Sequence, residues 1–323
     1  MARHDVRVYE NIFEMMPDED NPTPLVRVRN SLPAECDFQL YAKLEWMNPF
    51  GSVKDRAAWQ MIQDLENRGE IGDGRGMVEP TSGNTGFSLA AMASVRGHHL
   101  RAVVPNKVPA EKKILLKMAG AELDVINDDL CPAPGLGDGS INLARSHAKA
   151  QKTRYVMPNQ YENLKNIEAH IQSTGPEIWR QTEGKITHLF TSLGTCGTVT
   201  GTGRFLKEKN PEIKVIAVQP SPGHDVPGLR NVSQLDATKL FDASLIDEIM
   251  EIDFERAYTR SVELLRQDGL RGGPSSGLIF EGASQFVSRG GSGRGVMIFC
   301  DDVFKYTTNL VKHIPELGQG LEP

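Results

Sequence analysis

Cysteine is scarce in this chain. Its 323 residues include four cysteines, Cys36, Cys131, Cys196 and Cys300, which lie far apart. They form no C-x-x-C pair and no metal-ligand spacing, which excludes a thiol redox motif and leaves no metal to be expected. Such usage fits a reduced cytoplasmic protein. Positive charge is also in short supply: 36 Lys and Arg against 42 Asp and Glu give a net charge of −6. With no basic block, neither nucleic acid nor an anionic membrane is expected as a partner. No apolar run approaches the length that crosses a bilayer. Met1-Ala2-Arg3-His4-Asp5-Val6 lacks the apolar core of a signal peptide. What remains, 39% hydrophobic and 24% charged residues, is an ordinary globular composition. The length suffices for one large or two ordinary domains.

One stretch organises the rest: Asn48-Pro49-Phe50-Gly51-Ser52-Val53-Lys54-Asp55-Arg56. Past it, apolar residues recur at Ala58, Met61, Ile62 and Leu65 and stop at Gly69, which is helical spacing. Lys54 therefore stands at or near a helix N-terminus, where the dipole disfavours an ammonium. Burial there would lower its pKa further. A lysine that yields its proton near neutrality is the kind that forms an imine with an aldehyde. An exposed lysine beside a helix cap is the plain alternative.

Short apolar strands alternate with amphipathic helices along the whole chain, and this predicts parallel sheets covered by helices on both faces. Strands are expected at 24–28, 39–45, 77–80, 100–104 and 122–126, then at 188–191, 214–218 and 296–300. Helices are expected from Asp55, over 87–95, 109–118 and 141–150, then over 167–181, from the 194–198 turn to about Lys209, over 254–267 and over 276–287. Cys131 to Ser140, rich in Gly and Pro, reads as a mobile surface loop. Gln219 to about Thr238 reads as irregular. The alternation breaks at Val156-Met157-Pro158-Asn159, which places a seam near Tyr155. Two α/β units fit the length better than one.

Two further turns lead from a strand into a helix. In Gly194-Thr195-Cys196-Gly197-Thr198 small residues let the backbone close around an anion, and the helix N-terminus adds free N–H groups and a positive field. No G-K-[ST] follows, so this is not a Walker loop, and the dinucleotide fingerprint is absent as well. Thr81-Ser82-Gly83-Asn84-Thr85 offers hydroxyls, an amide and backbone N–H groups suited to a carboxylate. Each turn has a purely structural alternative, such as capping of the helix by Ser82. Their repetition decides the matter. A lysine loop, a hydroxyl-rich turn and a glycine-rich turn all sit where helices begin, which in an open α/β sheet is one edge. Together they suit an aldehyde-bearing phosphate ligand plus an amino acid.

On these residues the chain resembles the cysteine synthase family of fold-type II pyridoxal-phosphate enzymes. Matching segments run in the family's order: Asn21-Pro22-Thr23-Pro24-Leu25-Val26, Asn48 to Arg56, Glu79 to Gly86, Asn159-Gln160-Tyr161, Thr174-Gly175-Pro176-Glu177, Gly194 to Gly203, Gly273 to Gly277 and Asp302 to Tyr306. The resemblance implies two three-layer α/β/α domains with mostly parallel sheets: a smaller mobile one, 48–154, and a larger one, 1–47 plus 155–323, that carries the cofactor phosphate site. It also implies roles. Lys54 would carry pyridoxal 5'-phosphate as an imine and act as the catalytic base. Gly194, Thr195, Cys196, Gly197 and Thr198 would bind the phosphate, Asn84 the ring hydroxyl, and Ser275 the pyridine nitrogen. Thr81, Ser82, Thr85 and Gln160 would receive the substrate carboxylate. A serine at the pyridine nitrogen keeps the ring neutral and favours loss of a β-substituent over transamination. Three departures stand out. Cys196 replaces the usual Gly or Thr, Pro274 replaces an aliphatic residue before Ser275, and Pro22 interrupts the family's Asn-Thr-Pro-Leu.

Within that family Leu229-Arg230-Asn231 matches members that use O-phosphoserine. A guanidinium binds a phosphate dianion with two parallel hydrogen bonds. The activity expected is therefore β-replacement on an activated L-serine, with O-phospho-L-serine preferred and sulfide or another sulfur donor giving L-cysteine. An O-acetylserine sulfhydrylase and a cystathionine β-synthase-type enzyme are the alternatives, and no haem-binding extension or regulatory domain is expected. Free sulfide, thiosulfate or a thiocarboxylated carrier protein could each supply sulfur. A homodimer is implied by resemblance alone. A non-catalytic module gripping a partner's tail is the contrasting class, and Lys54, Asn84 and Ser275 argue against it. His224 reads as a loop residue.

Overall fold

The computed structural model describes residues 8–33, 36–127 and 139–320. The expected loop from Cys131 to Ser140 lies outside them except for Gly139 and Ser140, which already open a helix. The chain begins with β1 (Leu25–Arg27) and β2 (Phe38–Leu44), then α1 (Lys54–Asn67). Four strands and three helices follow: β3 (Gly76–Pro80), α2 (Asn84–Val95), β4 (Leu100–Pro105), α3 (Ala110–Met118), β5 (Glu122–Ile126), α4 (Gly139–Ala150) and β6 (Tyr155–Val156). Next come α5 (Lys165–Ala169), α6 (Gly175–Gln181), β7 (His188–Ser192), α7 (Gly197–Lys209) and β8 (Lys214–Pro220). The chain closes with β9 (Glu248–Ile252), α8 (Glu255–Asp268), α9 (Pro274–Ser288), β10 (Gly293–Phe299) and α10 (Thr307–His313).

The strands form two sheets. The larger has six strands in the order β1-β2-β10-β7-β8-β9, and the smaller has four, β5-β4-β3-β6. Every pairing is parallel except that of β1 with β2, which is antiparallel at an edge. Tyr155 and Val156, where a seam is expected, pair with Gly76 and Met77 of β3. Sheet membership therefore changes after Val156.

Period-two alternation explains why the larger sheet is covered on both faces. Phe190, Ile216, Val218 and Met297 point into one apolar cluster, while their neighbours Leu189, Val215, Ala217 and Val296 point into another. The smaller sheet buries Met77, Ala102 and Val104 against Ala58, Ile62 and Leu65 of α1 and Leu89 and Met92 of α2. β9 and α10 were not anticipated. Glu248-Ile249-Met250-Glu251-Ile252 alternates exposed and buried side chains over its last four positions, with an apolar residue, Ile249, on the exposed side, as an edge strand allows.

A buried ionic cluster joins the two layers. The Arg56 guanidinium donates to Glu45 Oε2 at 2.7 Å and Oε1 at 2.9 Å, and to both oxygens of Glu177. Lys43 Nζ donates to Glu177 Oε2 at 2.6 Å, Thr23 O at 2.8 Å and Gln181 Oε1 at 2.8 Å. None of the charged groups is more than 2% exposed. Burial alone would raise the Glu45 carboxyl, but the Arg56 charge overrides it and brings the pKa down to about 2. Removing one partner of such a cluster strands a buried charge, which costs about 3–5 kcal/mol. Arg56→Ala is expected to lose stability on that scale in urea denaturation. Arg180→Ala, which breaks the exposed pair with Asp20, is expected to leave the midpoint where it is.

Candidate active site

Three helices start at the C-terminal ends of parallel strands or just beyond, and the cleft lies where their N-termini meet. Lys54 is the first residue of α1, and no side chain caps that helix. The loop before it is tied down by Val53 N–H to Cys300 O at 2.8 Å, across to the end of β10. Phe50 N–H donates to Asp55 Oδ2 at 2.7 Å. Lys54 keeps some exposed surface because the cleft opens beside it. Its amine is nonetheless deep enough for burial to lower the pKa, and neighbouring Cys300, Cys196 and Asp301 do not overcome that effect. Lys54 makes no side-chain hydrogen bond or ion pair among the described residues.

The glycine-rich turn joins β7 to α7. Gly194, Thr195, Cys196 and Thr198 border the same cleft as Lys54. A Cβ on Gly194 would stand 2.8 Å from Gly228 O, and one on Gly197 would stand 2.1 Å from Asn166 Oδ1, so both positions admit only hydrogen. Cys196 caps α7 with φ of 69°, a left-handed conformation that favours glycine. Its thiol is buried and pushed up to about 12, so it is neutral and soft. Thr195 Oγ1 accepts from Asn166 Nδ2 at 3.0 Å. Thr198 Oγ1 lies 3.1 Å from His170 Nε2, and His170 Nδ1 lies 2.8 Å from Thr174 Oγ1. A π turn, His170–Thr174, between α5 and α6 aims that ring.

At the second turn Gly83 is the N-cap of α2, and Thr81 Oγ1, not Ser82, accepts N–H bonds from Gly83 at 3.2 Å and Gly86 at 3.0 Å. Ser82 borders the cleft with no hydrogen bond from its side chain among the described residues. Thr85 Oγ1 donates to Gln160 Oε1 at 2.7 Å, and Gln160 Nε2 donates to Pro80 O at 3.0 Å. Asn84 has both ends of its amide engaged, Nδ2 on Asp301 Oδ2 at 2.6 Å and Oδ1 under Lys305 Nζ at 3.2 Å. An amide nitrogen carries two N–H groups, so one Asn84 donor remains beyond the one spent on Asp301.

Ser275 lies in the first turn of α9, 6% exposed and on the cleft, and its hydroxyl has no partner among the described residues. Arg230 also lines the cleft. Its Nη1 donates to Gln234 O at 3.2 Å, and its guanidinium lies 5.3 Å from the Tyr161 ring centre. Arg230 N–H donates to Leu193 O at 2.8 Å, which seats this loop against the phosphate turn. His224 bonds Gln234 and does not reach the cleft, in keeping with a loop residue. Thus Lys54, Thr81, Ser82, Asn84, Thr85, Gln160, Gly194, Thr195, Cys196, Thr198, Arg230 and Ser275 share one cavity, and Gly197 supports it from behind. Sequence reasoning missed Lys112, Asp301 and Tyr306, which share it too.

A family profile, that of the pyridoxal-phosphate dependent enzymes, matches residues 17–301. A cysteine synthase of Aquifex aeolicus is 39% identical over 293 residues, 88% of each chain. The chain belongs to the cysteine synthase family of pyridoxal-phosphate dependent enzymes. Two solved structures share the family's fold at high overlap. An O-ureido-L-serine synthase superposes with a TM-score of 0.85 at 28% identity, covering 95% of this chain and 96% of that one. O-acetyl serine sulfhydrylase isoform 3 of Entamoeba histolytica has a TM-score of 0.83 at 28% identity, covering 97% and 94%.

The residues present fit the family's cofactor. An amine and a hydroxyl, Lys54 and Ser275, reach the same cleft without protein partners. The first-turn N–H groups of α7 stand beside two positions closed to any side chain, which leaves room for a phosphate and donors to hold it.

Burial lowers the His170 pKa to about 3, with the Arg56 and Lys54 charges adding to the effect. The unfolded chain takes up this proton near 6.5 and the folded one does not, so stability falls as pH drops through that window. The slope is at most about 1.4 kcal/mol per pH unit. In urea denaturation between pH 6.5 and 4, the wild type is expected to lose more stability than His170→Asn by one proton's slope.

Proposed function

We propose that this enzyme is a transferase that replaces the β-substituent of an activated L-serine, with O-phospho-L-serine the preferred donor, and that sulfide or another sulfur donor gives L-cysteine. The observation that carries the preference is Arg230, 8% exposed on the wall of the cleft that holds Lys54. When bound, pyridoxal phosphate supplies an electron sink that acidifies the α-hydrogen of an amino acid. Lys54 would hold it covalently, with the Gly194–Thr198 turn on its phosphate, the Ser275 hydroxyl on its ring nitrogen and Asn84 on its ring hydroxyl.

Within this reading Thr81, Ser82, Thr85 and Gln160 fix the substrate carboxylate and so present the α-hydrogen to one side of the cleft. Lys54 Nζ, once the substrate amine has taken its place and set it free, would be uncharged more readily than an exposed lysine, take that proton and later return it. Arg230 offsets charge on the departing phosphate, a role for which a guanidinium fork suits a dianion better than neutral acetate. A sulfur nucleophile then adds at the carbon the phosphate has left. A homodimer in the cytoplasm, a smaller unit of residues 48–154 that moves, and a carrier protein as sulfur source belong to the same reading. O-acetylserine is the competing donor, favoured by the structural likeness to an O-acetyl serine sulfhydrylase.

Purified protein is expected to be yellow and to form a borohydride-trapped adduct on Lys54, which Lys54→Ala abolishes. In steady-state kinetics O-phosphoserine is expected to exceed O-acetylserine in kcat/KM. Arg230→Ala is expected to cost O-phosphoserine about 100-fold and O-acetylserine less than about 3-fold. A variant that keeps its full phosphoserine kcat/KM would sink the assignment of Arg230.

A further inference from the structure

Lys112 has no place in the mechanism above. It is the third residue of α3, and it is buried together with Leu116 one turn on. Only 6% of its surface is exposed, and it borders the cleft. Its Nζ stands over the Tyr306 ring, 4.0 Å from the centre. The Tyr306 hydroxyl is turned to Asp301 Oδ2 at 2.5 Å. Among the described residues Lys112 makes no hydrogen bond and no ion pair. Burial brings its pKa down to about 8, Asp301 opposing and Lys305 adding to the effect, so it is charged at neutral pH.

A buried ammonium that rests on an aromatic face and feels the Asp301 charge without a hydrogen bond to it is unfavourable, since these replace only part of its lost hydration. Lys43, no more exposed, has three oxygen acceptors. The position of Lys112 shows what its missing partner is. A Cβ on Gly83 would stand 3.6 Å from Lys112 Cδ and 3.9 Å from Nζ. The amine therefore overhangs the middle of the Thr81–Thr85 turn. That turn presents the N-terminus of α2 and the unengaged Ser82 hydroxyl to the same space. Neutral donors on one side and a cation on the other make a site for a carboxylate.

We propose that Lys112 is the cation of the substrate-carboxylate subsite, donating a charge-assisted hydrogen bond to the α-carboxylate of the amino-acid substrate. The proposal rests on the β-replacement reading above. It makes Lys112 a binding residue that discriminates amino acids from their uncharged analogues.

The test compares wild-type, Lys112→Met and Lys112→Arg holoenzymes, titrated with L-serine and with L-serinamide and read by the change in cofactor absorbance. Lys112→Met is expected to weaken L-serine by about 10- to 100-fold, to leave L-serinamide within about 3-fold, and Lys112→Arg to recover most of the loss. Equal weakening of both ligands, or of neither, overturns the proposal. Thermal melting of the cofactor-free proteins gives a second readout. A charge held for a ligand destabilises the free protein, so Lys112→Met is expected to melt at the same temperature or higher. A fall of more than about 3 °C would assign the lysine to a structural pairing with Tyr306 and overturn the proposal. Wild-type protein that takes up no cofactor overturns the β-replacement reading and this proposal with it. Intact cofactor uptake with unselective ligand loss overturns this proposal alone.

Discussion

Arg56 holds the molecule's geometry. It lies two residues past Lys54 on α1, a helix that packs Ala58, Ile62 and Leu65 with the smaller sheet. Its carboxylate partners come from elsewhere: Glu45 follows β2 of the larger sheet, and Glu177 lies in α6. The guanidinium fork thus ties the first turn of α1 to the larger layer at the level of the lysine. A buried ionic cluster need not be more stable than an apolar one of the same shape, because desolvation offsets much of the attraction. What it adds is a single acceptable geometry. Shifting α1 by a turn would leave Glu45, Glu177 and Lys43 charged and unpaired in the core, so Lys54 has one place to be.

The cleft is built from helix starts, and the support behind each differs in kind. Behind the phosphate turn the polar groups are neutral. His170 is kept uncharged by burial, Asn166 holds Thr195, and Thr238 Oγ1 donates to Thr195 O at 2.7 Å. Neutral donors and acceptors fix the turn without adding a charge that would compete with an arriving anion. Behind the Thr81–Thr85 turn the support is a carboxylate. Glu79 accepts the Asn159 and Gln160 N–H groups at 2.8 and 2.9 Å, and burial raises it to about 7. That carboxylate faces away from the cleft, toward the loop that carries Gln160, and so positions Gln160 beside Thr85.

How much of this was legible in the sequence varies with the kind of signal. The strand–helix alternation was plain because buried parallel strands are short and apolar throughout, and most helices end at glycine. Lys54 and both anion turns stood out because their residues are contiguous and lie where helices begin, whereas Ser275 came from the resemblance alone. β9 did not stand out, since Ile249 is apolar yet exposed, so the sequence Ile249-Met250 hides the alternation that its burial follows. α10 was missed because Thr307-Thr308-Asn309-Leu310-Val311-Lys312-His313 buries only Asn309 and Leu310. Tyr155 and Val156 read as a break because two residues are too few to show a period, although they pair with β3. The engagement of Asn84 with Asp301 joins positions 217 residues apart, and no local pattern reports such a pair. Lys112 did leave a trace: it stands four residues before Leu116 on the inner face of α3, where a lysine is out of place.

Lysines separate what the fold consumes from what it keeps ready. Lys43 is fully buried and has three oxygen acceptors, so its charge is spent on structure. Lys305 donates to Gly51 O at 2.7 Å and to Asn84 Oδ1 at 3.2 Å, holding the lysine loop against the turn that follows β3. Lys54 and Lys112 are enclosed by the same protein and have no acceptor among the described residues. Burial lowers both, and an opposing Asp301 charge fails to restore either. Among the described residues the buried Lys43 ammonium is satisfied in full, whereas Lys54 and Lys112 are left without an acceptor on one cavity. Hydration lost without replacement is a standing destabilisation, and native structures retain it where a ligand completes the bonding. The two amines differ in what they face. Lys54 looks onto neutral thiols and the glycine-rich turn, an environment that favours giving up a proton. Lys112 looks onto a ring face and a helix N-terminus, an environment in which an anion can settle.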